Sequence, residues 1–202
     1  MTEASYSEIR INVRRAIRDN YGLLWDDSAL DDLINEAQRE YSILTGSLIG
    51  VYDVVTTQDG ICAAPDNFIE PVKFIASDGF EKPFFSWKRL HDDYPDFRTV
   101  TGSAIQGLCM DFDDFGFFRT FPVLPPGINA GQLFYKRTPK LNTLETANTA
   151  AITAHCLFQA FLLLGNSAAQ NYYNDFIRLC NAEQSVQRNL GNVSSYRSGR
   201  FF

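Results

Sequence analysis

Apolar residues recur at helical spacing near the start of the 202-residue chain, with polar residues between them. Ile9, Val13 and Ile17 fall on one face of a first predicted helix over 6–19. A second helix is predicted from Asp26 or Asp27, either of which can cap it, to a stop at residue 46. Its apolar positions, spaced three and four apart, are Leu30, Leu33, Ile34, Ala37, Tyr41 and Leu44. Because a short loop joins the two helices, we expect them to pack antiparallel.

From Ile49 onward the apolar period changes to two, which is typical of half-buried strands. Strands are predicted over 51–57, 61–64, 68–76 and 80–85. Asp59-Gly60 predicts a tight hairpin between the first two strands, and Asp78-Gly79 predicts a turn between the last two. A short helix is predicted at Trp87–Asp93. It must end before Pro95, because the residue before a proline disfavours the helical conformation.

Three further apolar runs, over 108–112, 115–121 and 132–135, also alternate at period two. Asp113-Asp114 predicts a tight connection between the first two runs, and 122–131 predicts a longer loop before the third. We therefore expect these runs to form the middle of one antiparallel sheet, within a lobe of five to seven strands.

After Pro139 the pattern is helical again. The segment 150–164, with Thr149 as its cap, is apolar on nearly every face, so it must be buried inside the domain or against a neighbouring subunit. A further helix starts at Ser167 and is predicted to end before Gly191. The candidates for a subunit interface on these two helices are Phe158, Phe161, Leu162, Tyr172 and Tyr173.

The residues after 190 are rich in Asn, Ser, Gly and Arg and have no amphipathic period, so we expect a disordered arm. Aromatic and basic side chains on such an arm favour an anchor that enters a partner's pocket. The candidates are Tyr196, Arg197, Arg200, Phe201 and Phe202.

These elements predict an α+β protein. Two N-terminal and two C-terminal helices form a four-helix bundle, with an inserted antiparallel β lobe and a flexible C-terminal arm. The predicted bundle comprises 1–47 and 140–190, the β lobe 48–139, and the arm 191–202.

The charge argues against a protein that reads nucleic-acid sequence. The net charge is −6, whereas such binders carry a basic footprint. A row of arginines on the first helix (Arg10, Arg14, Arg15 and Arg18) indicates a solvated face or one that meets a partner's acids, with DNA contact as the alternative. The N-terminus lacks the apolar core of a signal peptide, and the most apolar window is too short to span a bilayer. We expect assembly in the cytoplasm and no membrane contact.

One acidic turn resembles a metal site. Asp111, Asp113 and Asp114 precede Gly116 as in a calcium loop, but Pro122 stands where the loop requires Glu. A turn with solvated carboxylates is the simpler interpretation.

The histidines and cysteines do not assemble a nucleophilic site either. His155 and Cys156 are adjacent on a helix, so their side chains point about 100° apart. The four cysteines are widely spaced and are expected to be reduced and buried. We therefore expect no cofactor, no metal and no enzymatic activity.

Several short segments occur in an order known from one family. They are Trp25-Asp26-Asp27 before a helix that runs to Tyr41, Ala64-Pro65-Asp66-Asn67-Phe68, a strand with Val72 and Phe74, Asp78-Gly79, Ser86-Trp87-Lys88-Arg89-Leu90, Tyr94-Pro95, Leu124-Pro125-Pro126, and the run from Leu133 to Pro139 before two closing helices. On these segments the chain resembles the head-to-tail adaptor (connector) proteins of tailed bacteriophages, especially the short-tailed ones.

The resemblance implies a structural protein of the virion neck. Such adaptors form a ring, typically of about twelve copies, under the portal protein, and the ring extends the DNA channel. The helices would form the ring, the arm would reach the portal, and the β lobe would face the tail tube or nozzle protein. The candidates for the tail-facing surface are Phe115, Phe117, Pro125 and Pro126. Genomic DNA would slide past without sequence-specific binding, which suits an acidic chain.

Two alternatives remain open at this point. The same pattern of sheet and helices could serve another neck or tail structural protein, such as a stopper, a tail-completion protein or a nozzle-associated protein. The other alternative is a hydrolase that uses Asp111, Asp113 and Asp114.

Overall fold

A computed structural model of the protein describes residues 4–19, 21–57, 60–110, 117–146 and 148–197. Within these ranges, side chains are described from residue 6 to residue 187. The chain divides into two compact units. A helical unit comprises Met1–Leu48 and Thr138–Phe202, and a β unit comprises Ile49–Arg137.

The described residues form five helices and eight strands. In chain order they are α1 (Ala4–Ile17), α2 (Asp27–Thr45), β1 (Ile49–Val55), β2 (Ile61–Ala63), β3 (Phe68–Ala76), β4 (Glu81–Lys82), β5 (Phe84–Phe85), α3 (Trp87–Asp93), β6 (Gly107–Cys109), β7 (Phe117–Phe121), β8 (Asn129–Arg137), α4 (Thr149–Leu163) and α5 (Ala169–Arg197).

The helical unit is organised around α4, which packs against α1, α2 and α5. Its core is made of aliphatic and aromatic side chains from all four helices, among them Ile9, Val13, Leu30, Ile34, Tyr41, Ile152, Cys156 and Phe176. The Asp26 carboxylate caps α2 by accepting the N–H of Ala29 at 2.8 Å. Gly46 ends α2 in the left-handed conformation that favours glycine, with φ of 62°.

The β unit contains two four-stranded sheets, in the orders β1-β8-β3-β4 and β2-β7-β6-β5. β8 lies between β1 and β3, and Phe134 is opposite Val51 on one side and Lys73 on the other. Phe74 and Leu133 of the first sheet share one buried cluster with Leu108 and Phe118 of the second. The two sheets therefore enclose a common core.

The predicted four-helix bundle with an antiparallel lobe is wrong. The described residues contain a fifth helix, α3, and two sheets, one of which has a parallel pair formed by β5 and β6. In the helical unit, α4 has no polar face to expose, so it takes a central place and the other three helices cover it.

The predicted strand partners also differ from those observed. β1 and β2 do not form the predicted hairpin, because β1 pairs with β8 and β2 pairs with β7 in the other sheet. Asp59 of the predicted turn lies outside the described residues. The three runs that were expected to form the middle of one sheet also belong to two sheets. β6 and β7 pair with each other in the second sheet, while β8 belongs to the first. Alternation predicts that a segment is a strand, but it carries no information about a partner that is distant in sequence.

α5 is longer than predicted. It continues through Gly191 to Arg197, although the sequence predicts an end before Gly191 and a disordered arm from there. A single glycine costs a helix only about 1 kcal/mol, and no proline follows to stop it. Residues 198–202 lie outside the described part of the chain.

Candidate interaction surfaces

The predicted subunit-interface residues lie where α4 packs on α5. The rings of Phe161 and Tyr172 stack with centroids 5.2 Å apart, and those of Phe158 and Tyr173 are 5.0 Å apart. Leu162 is not part of these pairs, and 58 % of its surface is exposed. The structure thus brings four of the five candidates together as contacts within the chain and leaves the fifth exposed.

The end of α4 carries a run of exposed leucines. Leu162, Leu163 and Leu164 follow one another, and each exposes about half of its surface or more. Gly165, in the left-handed conformation with φ of 65°, then turns the chain towards α5. Single exposed leucines are common, whereas three in succession make this end of α4 a candidate interaction surface.

His155 lies beneath the aromatic pairs and is 4 % exposed. Its ring is 4.6 Å from that of Phe176 and 5.6 Å from that of Phe158. Burial lowers the pKa of His155 to about 4, so the imidazole is neutral at pH 7. Burial raises the pKa of the adjacent Cys156 thiol, which is therefore also neutral. These two side chains are parts of the core and not a nucleophile with its base.

The predicted arm residues lie at the end of α5 and beyond it. Tyr196 and Arg197 are its last two residues, while Arg200, Phe201 and Phe202 are outside the described residues. α5 has 29 residues and its partner α4 has 15. At 1.5 Å per residue, α5 is about 20 Å longer, so its C-terminal part runs past the start of α4.

The predicted tail-facing residues occupy separate places in the β unit. Phe117, at the start of β7, is 42 % exposed and lines a cleft of about 690 Å³ with residues that include Pro65 and Met110. Pro125 and Pro126 follow the other end of β7 and line a groove of about 500 Å³. Phe115 lies outside the described residues. The structure therefore does not bring Phe117 together with the two prolines.

The sequence reasoning missed the loop between α1 and α2. Tyr21, Leu23 and Leu24 are 90 %, 84 % and 66 % exposed, which makes them the most exposed large apolar group in the helical unit among the described residues. An apolar Leu-Leu-Trp run directly after a glycine, between two helices, is the sequence signal that could have indicated it.

This apolar loop is held rigidly by Asp19, which is 4 % exposed. The Asp19 carboxylate accepts the backbone N–H groups of Leu23, Leu24 and Trp25 at 2.8 to 3.2 Å. Arg14 lies 3.4 Å from the same carboxylate and donates to the carbonyl oxygen of Trp25 at 2.6 Å. Burial alone would raise the pKa of Asp19, but the three N–H groups and Arg14 outweigh it and lower the pKa.

Two of the four arginines in the predicted row, Arg10 and Arg14 on α1, are committed to partners within the chain. Arg10 donates to both oxygens of Asp31 at 2.7 and 2.6 Å, and Arg14 donates to Asp27 at 2.8 Å. The bidentate geometry is the strong form of this ion pair. These contacts explain half of the arginine row without DNA.

The described residues show no group of three or more His, Cys, Asp or Glu side chains that could hold a metal ion. Asp111, Asp113 and Asp114 lie outside these residues.

Burial raises the pKa of Cys62 to about 12 and that of Cys180 to about 11, so neither thiol is ionised at pH 7. None of the described helices combines the length and hydropathy needed to cross a membrane.

Comparison with known proteins gives one family. The model of a family described as SU10 adaptor protein matches residues 4–197, which is nearly the whole chain. The match confirms the resemblance to phage head-to-tail adaptors. It supports a structural protein of the virion neck over the alternative of a hydrolase. No curated protein matches the chain.

Proposed function

The chain belongs to the SU10 adaptor protein family, and on this premise we propose that several copies of it form a ring that joins the portal of a phage head to the tail. The observation that carries the proposal is the apolar surface of the helical unit. Large side chains at the end of α4 and in the loop at 21–25 are exposed, and in the loop the hydrogen bonds of Asp19 hold them in place. A surface that is both apolar and preorganised suits assembly with other proteins.

The ring contact in this proposal is formed by the exposed side of the α4–α5 pair. Phe158 and Phe161 fix α4 on α5 through Tyr173 and Tyr172. Leu162 and the exposed part of Tyr173 then lie on an outer surface that a neighbouring copy can cover. Burying one leucine side chain fully contributes about 1.5–3 kcal/mol, so each such side chain that a neighbouring copy covers would favour assembly.

The portal contact in this proposal is made by the C-terminal end. α5 carries Tyr196 and Arg197 past its contact with α4, and the segment that follows ends in Arg200, Phe201 and Phe202. Aromatic side chains bury much apolar area, and arginine forms bidentate contacts with carboxylates. A short segment with both is suited to a pocket in a partner protein.

The tail contact and the DNA channel complete the proposal. The β unit would offer Phe117 with its cleft, and Pro125 and Pro126 with their groove, to a tail tube or nozzle protein. The net charge of −6 suits a wall along which DNA must slide, because phosphate-neutralising side chains would hold it. The ring, its copy number of about twelve, and these partners are parts of the proposal.

Removal of residues 198–202 tests the portal contact. The truncation leaves α5 intact, so we expect a folded protein with unchanged helical circular dichroism that no longer binds purified portal rings. The double variant Phe201→Ala/Phe202→Ala should lose most of the binding as well, whereas Ser198→Ala in the same segment should bind normally. Truncated protein that saturates portal rings as the full chain does would refute the proposed role of this segment.

A further inference from the structure

The loop between α1 and α2 and the turn between α4 and α5 lie at the same end of the helical unit. α2 begins at this loop, and its other end contacts the later part of α5, where the Leu44 carbonyl accepts the Gln184 side chain. Near that other end, Gln38 accepts the N–H of Glu145, a few residues before α4 begins. α4 packs along α2, so it ends on the side of the α1–α2 loop.

Two arginines beside this loop are not used within the described part of the chain. Arg15, in the last turn of α1, and Arg18, directly after the helix, are exposed. Neither side chain forms an ion pair or a hydrogen bond with a described residue, in contrast to Arg10 and Arg14. Together with the exposed apolar residues of the loop they form an arginine–leucine surface, which consists of Arg15, Arg18, Tyr21, Leu23 and Leu24.

This surface is ordered but uncovered. Tyr21, Leu23 and Leu24 are 90 %, 84 % and 66 % exposed, so the described residues of the same chain do not cover them. The Asp19 carboxylate nevertheless fixes the backbone of the loop. A complementary partner therefore offers carboxylates to the two guanidinium groups and an aromatic or apolar group to the leucines.

The β unit carries such a complement directly after α3. Asp92, Asp93 and Asp96 are exposed on both sides of Tyr94 and Pro95, and Tyr94 itself is 47 % exposed. We call residues 92–96 the acidic corner. Its contacts with nearby cations are long and exposed, at 3.8 Å from His91 to Asp92 and 3.6 Å from Arg89 to Asp93. These carboxylates remain available to a stronger partner.

The acidic corner is ordered as well. Leu90 and Phe97, on either side of it, are each 1 % exposed and anchor it in the core. The Tyr94 N–H donates to the Leu90 carbonyl at 2.8 Å, and the Phe97 N–H donates to the Tyr94 carbonyl at 2.9 Å. The Tyr94 ring lies 4.9 Å from that of Phe121. Two surfaces that are already ordered lose little conformational freedom when they meet.

We propose that the acidic corner of one copy docks on the arginine–leucine surface of the next copy. The inference rests on the proposed function and adds a second, charged contact to the ring. The contact joins two different surfaces, so every copy can offer both, and successive contacts can close into a ring. It lies at the end of the helical unit that also carries Leu162, and is therefore continuous with the proposed ring contact.

DNA is a less complete partner for the arginine–leucine surface. Phosphate groups would pair with Arg15 and Arg18 but would leave the tyrosine and the two leucines in water. The acidic corner offers carboxylates together with Tyr94 and Pro95, which can cover these apolar side chains. The net charge of −6 also opposes an approach of DNA.

Charge reversal on each side of the contact provides the test. One variant is Arg15→Glu/Arg18→Glu, and the other is Asp92→Lys/Asp96→Lys. In each, like charges face one another in every contact between identical copies. Both should keep the helical circular dichroism of the wild type. We expect each variant alone to yield on the order of tenfold fewer completely loaded portal rings, as counted by native mass spectrometry.

An equimolar mixture of the two variants distinguishes a contact between copies from one within a chain. In the mixture, the unchanged acids of the first variant meet the unchanged arginines of the second, and the introduced lysines meet the introduced glutamates. Loading should return to near the wild-type level, and it should also return in a chain that carries all four changes. Recovery in the fourfold variant but not in the mixture would place the contact within one chain and overturn the proposal.

The remaining outcomes also decide the question. Normal loading by both variants would overturn the proposal, as would a defect of Arg15→Glu/Arg18→Glu that Asp92→Lys/Asp96→Lys does not rescue. The latter would assign the surface to DNA or to another acidic segment, such as 111–114. The control Arg39→Glu/Lys140→Glu reverses two exposed charges elsewhere in the helical unit and should load normally. If the wild-type chain does not load portal rings, the proposed function fails, and this inference fails with it.

Discussion

His155 places a titratable group in an apolar contact between two helices. Its imidazole packs on Phe158 and Phe176, and its Nδ1 has no hydrogen-bond partner among the described residues. Burial lowers its pKa from the ordinary 6.5 to about 4. The folded state therefore resists protonation over a pH range in which the unfolded chain accepts a proton.

The sign of the resulting pH dependence follows from this shift. The contribution of the neutral His155 to the free energy of unfolding is fully present above pH 6.5 and is lost progressively as the pH falls towards 4. His155→Leu removes the titrating group, so the difference in free energy of unfolding between wild type and variant should change by on the order of 2 kcal/mol between pH 7 and pH 4.5. Urea unfolding followed by helical circular dichroism at both pH values measures it. A difference that does not change with pH would show that His155 is not buried as described.

The connection between α1 and α2 shows how one carboxylate can order a whole loop. Asp19 accepts three successive backbone N–H groups and pairs with Arg14, and this arrangement fixes the exposed Leu23 and Leu24. Because the pKa of Asp19 is lowered in the folded state, its stabilising effect is lost only as the pH falls through that lowered value.

Asp19→Asn should therefore loosen the loop without removing its apolar side chains. The amide is neutral and cannot attract Arg14, so we expect a melting temperature lower by several degrees and faster amide exchange at 23–25. Asp32→Asn, an exposed acid in the first turns of α2, is the matched control and should change neither measurement. Loop exchange that is the same in both variants would contradict the role given to Asp19.

Local signals predicted elements well and their partners poorly. The bounds of β3 and α3 agree with the sequence prediction because alternation and the stop at Pro95 both act within a few residues. The pairing of β1 with β8 joins segments about eighty residues apart, and nothing in either segment identifies the other. α5 passed the predicted stop at Gly191 because glycine only weakens a helix.

The candidate surfaces show the same limit. The sequence indicated apolar residues on α4 and α5, but whether each contacts its own chain or faces outward depends on how the helices pack. The Phe161 ring stacks on that of Tyr172, whereas Leu162, the next residue, is largely exposed. The exposure of Leu23 depends on the hydrogen bonds of Asp19, which no periodicity describes.

At the scale of the whole molecule, assembly should depend on the end of α4. Leu162→Asp puts a charge on a side chain that is 58 % exposed, so the stability of the monomer should change by no more than about 0.5 kcal/mol. We expect this variant to remain monomeric both alone and when mixed with portal rings. Native mass spectrometry of the two samples measures this. Ile11→Asp, at a 55 % exposed position on α1, is the matched control and should assemble normally. Rings formed equally by both variants would exclude this end of α4 from the subunit contact.

The β unit is inserted into the helical unit through two neighbouring strands. Ile49, where the chain enters, lies directly opposite Lys136, where the chain is about to leave. Paired strands are about 5 Å apart, so the insertion has its two ends side by side. A lobe attached in this way can be replaced by another of different size without changing the gap that the helices must bridge. The architecture thus allows evolution to exchange or enlarge the β unit while the helical unit keeps its own fold.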